Sequence, residues 1–283
     1  MTAHDITIAG KTWHVWEHTL DEFLRAATRE RPHYKNADHP EALEQEGKRE
    51  DRTWDEAWRG GSLDDLRTLH TWPEGRERLR EIDLDNVQLP TVEGVKRVRC
   101  WSDDGDEFDR DRFDAGYDDC WQTRRRRRSP NGKRVIRITV ELSASGSNTA
   151  GSLIWSGVAA AKLVDELESA GYRVEVNAIE TSKDVQDRNR HPKSYNSVDV
   201  IRVKDADDPL NIDALLLAVA HPLFFRGFCF AARMKRPVRI PPGIGLVAST
   251  PGPVRGDIHI SKTFTREGAE RVVRTALKER NEQ

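Results

Sequence analysis

The stretch Arg134–Asn177, RVIRITVELSASGSNTAGSLIWSGVAAAKLVDELESAGYRVEVN, decides the fold. Val135, Ile136, Ile138, Val140 and Leu142 form a near-continuous apolar strand, the pattern of a strand with both sheet faces covered. A loop of Ser, Ala, Gly, Asn and Thr follows. It runs into a helix over Ser152–Ala170, whose apolar stripe includes Leu153, Ile154, Val158, Leu163, Val164 and Leu167. Gly171 stops the helix, as a glycine just past a helix end does. Tyr172–Ala178 then returns as a second strand. Right-handed crossover sets it parallel to the first. The polar loop therefore lies at the carboxyl end of a sheet strand, where open α/β sheets place their ligand sites.

Further strands are expected at Val198–Val203 and Asp257–Ser261, with helices at Asn211–Ala220 and Thr265–Glu279. Phe224–Met234 reads equally as helix or buried strand. Residues 134–283 thus read as a three-layer α/β domain with a largely parallel sheet.

Upstream, DITIAGKTWHVW alternates apolar and polar residues around Ala9-Gly10-Lys11. This predicts a hairpin with Ile6, Ile8, Trp13 and Val15 on one face. Thr19 and Glu22 form a capping box for the next helix, with Leu20, Phe23, Leu24 and Ala27 as its stripe. Helical signals recur at Thr53–Arg59, after Ser62 and at Arg76–Ile82, the last following a Trp72-Pro73-Glu74-Gly75 break. Trp54, Trp58 and Trp72 are expected to form the small core of this region. Asp104-Gly105 signals a hairpin turn inside an acidic stretch. Residues 1–130 read as a smaller mixed region, mostly helical.

The chain has 283 residues, 33% of them charged, with a formal net charge of -2, so no global field draws it to nucleic acid or membrane. Arginine outnumbers lysine 34 to 12. Five arginines run together at Arg124, Arg125, Arg126, Arg127 and Arg128. They read either as a phosphate-contacting patch for nucleic acid or as a solvated linker. Three cysteines without a CxxC pair point to a reducing compartment. MTAHDITIAG lacks the basic and apolar parts of a signal peptide. The longest apolar run, Ala214–Phe230, contains His221, Pro222 and Arg226 and reads as a core element rather than a membrane span. The cytoplasm, here of a bacterial host cell, is the expected location, with no membrane. No HExxH, GxSxG or phosphate-loop signature occurs.

Glu141-Leu142-Ser143-Ala144-Ser145 ends the first strand of the α/β half. With the helix and return strand that follow, residues 134–280 resemble the von Willebrand factor A fold. That family ends this strand in Asp-x-Ser-x-Ser, whose hydroxyls hold a divalent metal, usually magnesium. Ser143 and Ser145 match the serine positions; Glu141 stands where the family has aspartate, one methylene longer. The resemblance implies Glu141, Ser143 and Ser145 as metal-site residues. It also implies a threonine, Thr181 or Ser182 being the candidates, and an aspartate from Asp205, Asp207 or Asp257. WHVWEHTLDEFL and TWPEGRERL also resemble proteins carried by bacteriophages and plasmids. These readings make the chain a non-enzymatic protein-interaction module of a phage or mobile element, binding a protein partner through the Ser143–Ser145 loop face. The alternatives are a nucleic-acid-associated protein using Arg124–Arg128 and an enzyme whose site carries no familiar motif.

Overall fold

The computed structural model describes residues 2–28, 60–61, 71–84, 97–102, 105, 107–114, 116–117, 119–126, 135–145, 147–182, 195–234 and 247–281. The expected helices at Thr53–Arg59 and after Ser62, with Trp54 and Trp58, lie outside them.

The N-terminal hairpin forms as its alternation predicts. β1 (Thr2–Ile8) and β2 (Lys11–Thr19) pair antiparallel across Ala9-Gly10, both at positive φ. Thr19 and Glu22 make the reciprocal capping bonds, at 3.0 and 3.3 Å, that open α1 (Leu20–Thr28). α2 (Pro73–Glu81) carries Pro73 in its first turn, where a missing N–H costs nothing. The proline therefore starts this helix; the preceding helix that the Trp72–Gly75 turn is expected to break lies outside the described residues. A small sheet holds β3 (Arg97–Ser102), β4 (Glu107–Phe108) and β5 (Trp121–Arg126), with the short α3 (Arg110–Asp114) between β4 and β5.

The α/β half supplies β6 (Val135–Glu141), α4 (Ala150–Ser169), β7 (Arg173–Ser182), β8 (Tyr195–Lys204) and α5 (Ile212–Val219). A π-helical segment, Phe224–Cys229, then runs into α6 (Phe230–Met234). A 3-10 turn (Gly252–Val254), β9 (Ile258–Ile260) and α7 (Arg266–Asn281) complete the chain's described elements. Gly171, at φ +98°, ends α4 as expected, while Tyr172 N–H returns to Leu167 O at 3.0 Å.

The large sheet has the order β1-β2-β8-β7-β6-β9. β6 is parallel to β7 and to β9, and β2 is parallel to β8; β7 and β8 are antiparallel. The sheet is therefore mixed. The hairpin from residues 2–19 extends the same sheet, and Phe23, Ala27, Trp72 and Ile82 join the same core as α4 and α5. The expected division at residues 130–134 is not a division of this core. Trp72, expected in a separate small core, lies edge-on to His221 with ring centroids 4.8 Å apart.

The third layer expected from the sequence does not appear among the described residues. The main core joins α1, α2 and α4–α7 to one sheet face, through Ile136, Ile138, Val140, Val174, Val176, Ala178 and Ile201. The opposite face carries a small cluster of Trp13, Val15, Ile179, Val198 and Ala248, flanked by Ile6, Ile8, Val200 and Val254. Beside it lies a polar strip in which Arg137 meets Glu175 at 2.8 Å and Asn177 donates to Glu175 at 2.8 Å. The alternation in β6 and β7 is thus that of a sheet with helices on one side among the described residues.

No single described helix is long and apolar enough to cross a membrane. The bent pair Ile212–Val219 and Phe224–Ala232 has the length and composition for one, but its apolar side chains are largely buried in the core.

α4 and α5 approach closely because position 157 has no side chain. A Cβ at Gly157 would lie 2.1 Å from the carbonyl oxygen of Val219. Gly157→Ala should lower the unfolding free energy by about 1–3 kcal/mol, the cost of forcing a methyl group into a filled core. Urea denaturation checks this; an unchanged midpoint would mean that the two helices separate freely.

Candidate functional site

The carboxyl end of β6 gathers several of the residues singled out from the sequence. Glu141 is buried, and its Oε1 forms an ion pair with Lys262 Nζ at 3.2 Å. Ser143 is also buried. Its Oγ accepts from Thr181 N at 2.5 Å and lies 3.2 Å from Thr181 Oγ1, which donates to Ala248 O at 2.7 Å. Thr181 is therefore the threonine brought to this strand end. Ser145 is exposed, with its Oγ 3.0 Å from Ser147 Oγ.

The loop is held from the core side. Arg226, buried in the π-helical segment, donates from Nη2 to Asn148 O at 2.5 Å, and Asn148 Nδ2 donates to Ser145 O at 3.3 Å. Thr149 caps α4 by accepting from Ser152 N at 3.3 Å. Burial pulls the Arg226 guanidinium down to about 10, so it remains cationic at neutral pH.

These residues do not fit the divalent ion that the sequence resemblance implies. Such an ion needs several oxygens converging on one point. Here the Glu141 carboxylate already faces an ammonium, and the Ser143 hydroxyl is enclosed by Thr181. The candidate aspartates lie at the other end of the sheet: Asp257 accepts from Arg137 N at 2.9 Å, Asp207 pairs with Arg173, and Asp205 follows β8. Among the described residues, no group of three or more His, Cys, Asp or Glu side chains is arranged to hold a metal.

The second candidate region is the small sheet. Arg124–Arg126, for which a linker is one reading, are strand residues of β5; Arg127 and Arg128 lie outside the described residues. β5 is central. The register sets Arg97 opposite Arg126, Val98 opposite Arg125 and Arg99 opposite Arg124. β3 and β4 each pair with β5, not with one another, and Asp104 of the expected hairpin turn lies outside the described residues. Cross-strand partners share a face, so positions 97, 99, 124 and 126 lie on one side of this pleat, together with Trp101.

Aromatic rings cluster at the end of the same sheet. Trp101, Phe108, Phe113, Tyr117 and Trp121 are all exposed. The Arg112 guanidinium lies 4.2 Å from the Trp101 ring centroid and 4.4 Å from that of Tyr117. Asp119 fixes Arg112 by accepting at 2.6 Å through its carboxylate and at 3.2 Å through its carbonyl. Asp109 accepts from Arg112 N at 2.9 Å, and Asp114 lies 3.7 Å from Arg110. These three carboxylates of the acidic stretch are thus engaged around α3.

A family model described as Domain of unknown function (DUF7192) matches residues 16–282. The chain belongs to this family. A search of the curated proteins and of the solved structures finds no match. The DUF7192 match runs from within β2 past α7 and so takes in both sheets.

Three features of this DUF7192 chain come from long-range packing. The link between Lys262 and Glu141 depends on β9 lying beside β6. Arg226 lies in the apolar run that reads as a core element, and its guanidinium donates to the loop at Asn148. Arg97, Arg99 and Trp101 join β5 only through the sheet, although their spacing of two, R-x-R-x-W, is that of one strand face and is the signal that could have found them.

Burial depresses His221 from 6.5 to about 4, and it accepts from Leu223 N at 3.2 Å. His259 is likewise lowered to about 4, by burial first and then by the charge of Arg255; it meets Thr139 Oγ1 at 2.9 Å. Both rings stay neutral in the folded chain, while the unfolded chain takes up protons below about pH 6.5. Their contribution is complete above pH 6.5 and is lost as pH falls towards 4. Stepwise acidification should lower the unfolding free energy by an amount on the order of 2 kcal/mol over that window, and His221→Gln should flatten the slope. An equal slope in the variant would show that His221 is not the titrating group.

Proposed function

We propose that this DUF7192 chain binds nucleic acid through the β3–β5 face of the small sheet. The observation that carries this reading is the register of the arginines. Two arginine pairs, Arg97 with Arg126 and Arg99 with Arg124, are directly opposed across the strands. Like charges in that relation destabilise a sheet unless an anion offsets them. A polyanion offers phosphates at regular spacing and releases counterions on binding. The chain's net charge of -2 makes this a local patch rather than a general attraction. Three carboxylates of the neighbouring acidic stretch, Asp109, Asp114 and Asp119, are engaged around α3.

A second reading keeps the loop face as a protein-binding surface. Exposed Ser145 and Ser147 sit at a strand end held by Arg226, which gives a rigid polar epitope. In both readings Lys262 supplies the positive charge beside Glu141, and no magnesium is required.

Retention on a DNA column tests the first reading. The wild-type chain should elute at a salt concentration well above that of an Arg124→Gln/Arg126→Gln variant. The variant's binding should also depend less steeply on salt, the log–log slope falling by about one unit for each phosphate it no longer neutralises. Equal retention of the two proteins, or none by either, would overturn the proposal.

A further inference from the structure

We infer that the strand is bound single, with unpaired bases stacked on Trp101 and Tyr117. This inference rests on the nucleic-acid reading and names its substrate class.

The argument starts from the rings. Trp101 lies on the arginine face of β3, two positions from Arg99. It stacks with Arg112, and Arg112 stacks with Tyr117, so the three groups form one pile with a cation at its centre. Asp119 holds the guanidinium in place through two acceptors, so the rings are set before any ligand arrives. Trp101 remains 36% exposed and Tyr117 55% exposed. Large apolar rings left in water are a binding surface rather than a core.

A duplex hides its base faces in its own stack and offers phosphates to a flat basic surface. It has no use for exposed ring faces. A single strand offers both phosphates and free π-faces, and proteins that hold it combine a basic track with aromatic shelves. Here the two lie on one pleat, with the arginine positions leading to the aromatic pile. Phe108 packs 4.9 Å from Trp121 and 5.5 Å from Phe113, centroid to centroid. The pairing of Phe108 with Trp121 opposite Ser102 puts this second cluster on the reverse face, away from the arginine positions.

The test uses the full chain and fluorescence anisotropy. The probes are a labelled oligodeoxythymidylate and an oligouridylate of about 15 nucleotides, within the span such sites cover, and a mixed-sequence DNA duplex of the same length. At one salt concentration the single strands should bind more tightly than the duplex; the two single-stranded probes distinguish DNA from RNA as the source. Trp101→Ala and Tyr117→Ala should each weaken single-strand binding roughly tenfold and leave duplex binding unchanged. Trp101→Phe should recover most of the loss. Phe113→Ala, on the reverse cluster, should bind as the wild type does, and melting curves confirm that each variant folds.

Equal affinity for duplex and single strand, with Trp101→Ala harmless and Arg124→Gln/Arg126→Gln defective, would overturn this inference while the nucleic-acid reading stands. The same holds if Phe113→Ala is as damaging as Trp101→Ala, because the loss would not be specific to the arginine face. Failure of every probe to bind would remove both.

Discussion

The structure depends on burying one face of a mixed sheet under α4. That helix presents Gly157, Val158 and three successive alanines, Ala159, Ala160 and Ala161, all fully or almost fully buried. Small residues let its backbone come close to its neighbours. The absent side chain at 157 admits the end of α5, and the Ser156 hydroxyl receives Thr263 N–H at 2.8 Å and donates back to Thr263 O at 3.1 Å. One helix thereby ties β6, α5 and the segment after β9 together. The π-helical segment follows α5, and its Arg226 reaches the loop that precedes α4. A buried guanidinium is costly to desolvate and is retained where it satisfies carbonyl oxygens that have no other donor.

That arrangement leaves the strand-end loop structured and largely satisfied from within. Glu141, Ser143 and Thr181 make their contacts inward, to Lys262 and Ala248 as well as to each other. Ser145, Ser147 and Thr149 face water. The small sheet is built on the opposite logic. Trp101, Phe108 and Trp121, its large residues of described burial, belong to neither hydrophobic core. It carries exposed rings and opposed arginine positions, both of which favour contact with something other than the chain itself.

What the sequence discloses follows the range of the interaction. The β6–α4–β7 unit, the N-terminal hairpin, the Thr19–Glu22 box and the Gly171 stop are set by neighbours a few residues apart, and periodicity and capping chemistry expose them. The direction of β8 depends on a connection through residues 183–194, where the sequence offers no turn signal of defined type. β6 and β7 read as apolar throughout, although Arg137 and Glu175 interrupt them. Those two residues mark the face that the described helices do not cover. β5 is hidden because a run of arginines lacks the β-branched and aromatic residues that mark a strand; its pairing comes from β3, more than twenty residues upstream. Of the strand-end residues, Ser143 with Thr181 comes from the motif and its expected threonine, while the Lys262 partner of Glu141 follows only from the sheet order.

The central claim is that the small sheet, and not the strand-end loop, meets the ligand. Ultraviolet crosslinking of the full chain to a single-stranded oligonucleotide, followed by mapping of the modified peptides, tests it most directly. The account predicts adducts within residues 97–126, centred on Trp101 and Tyr117. Adducts confined to residues 141–149, or to the polar strip around Arg137 and Glu175, would contradict it.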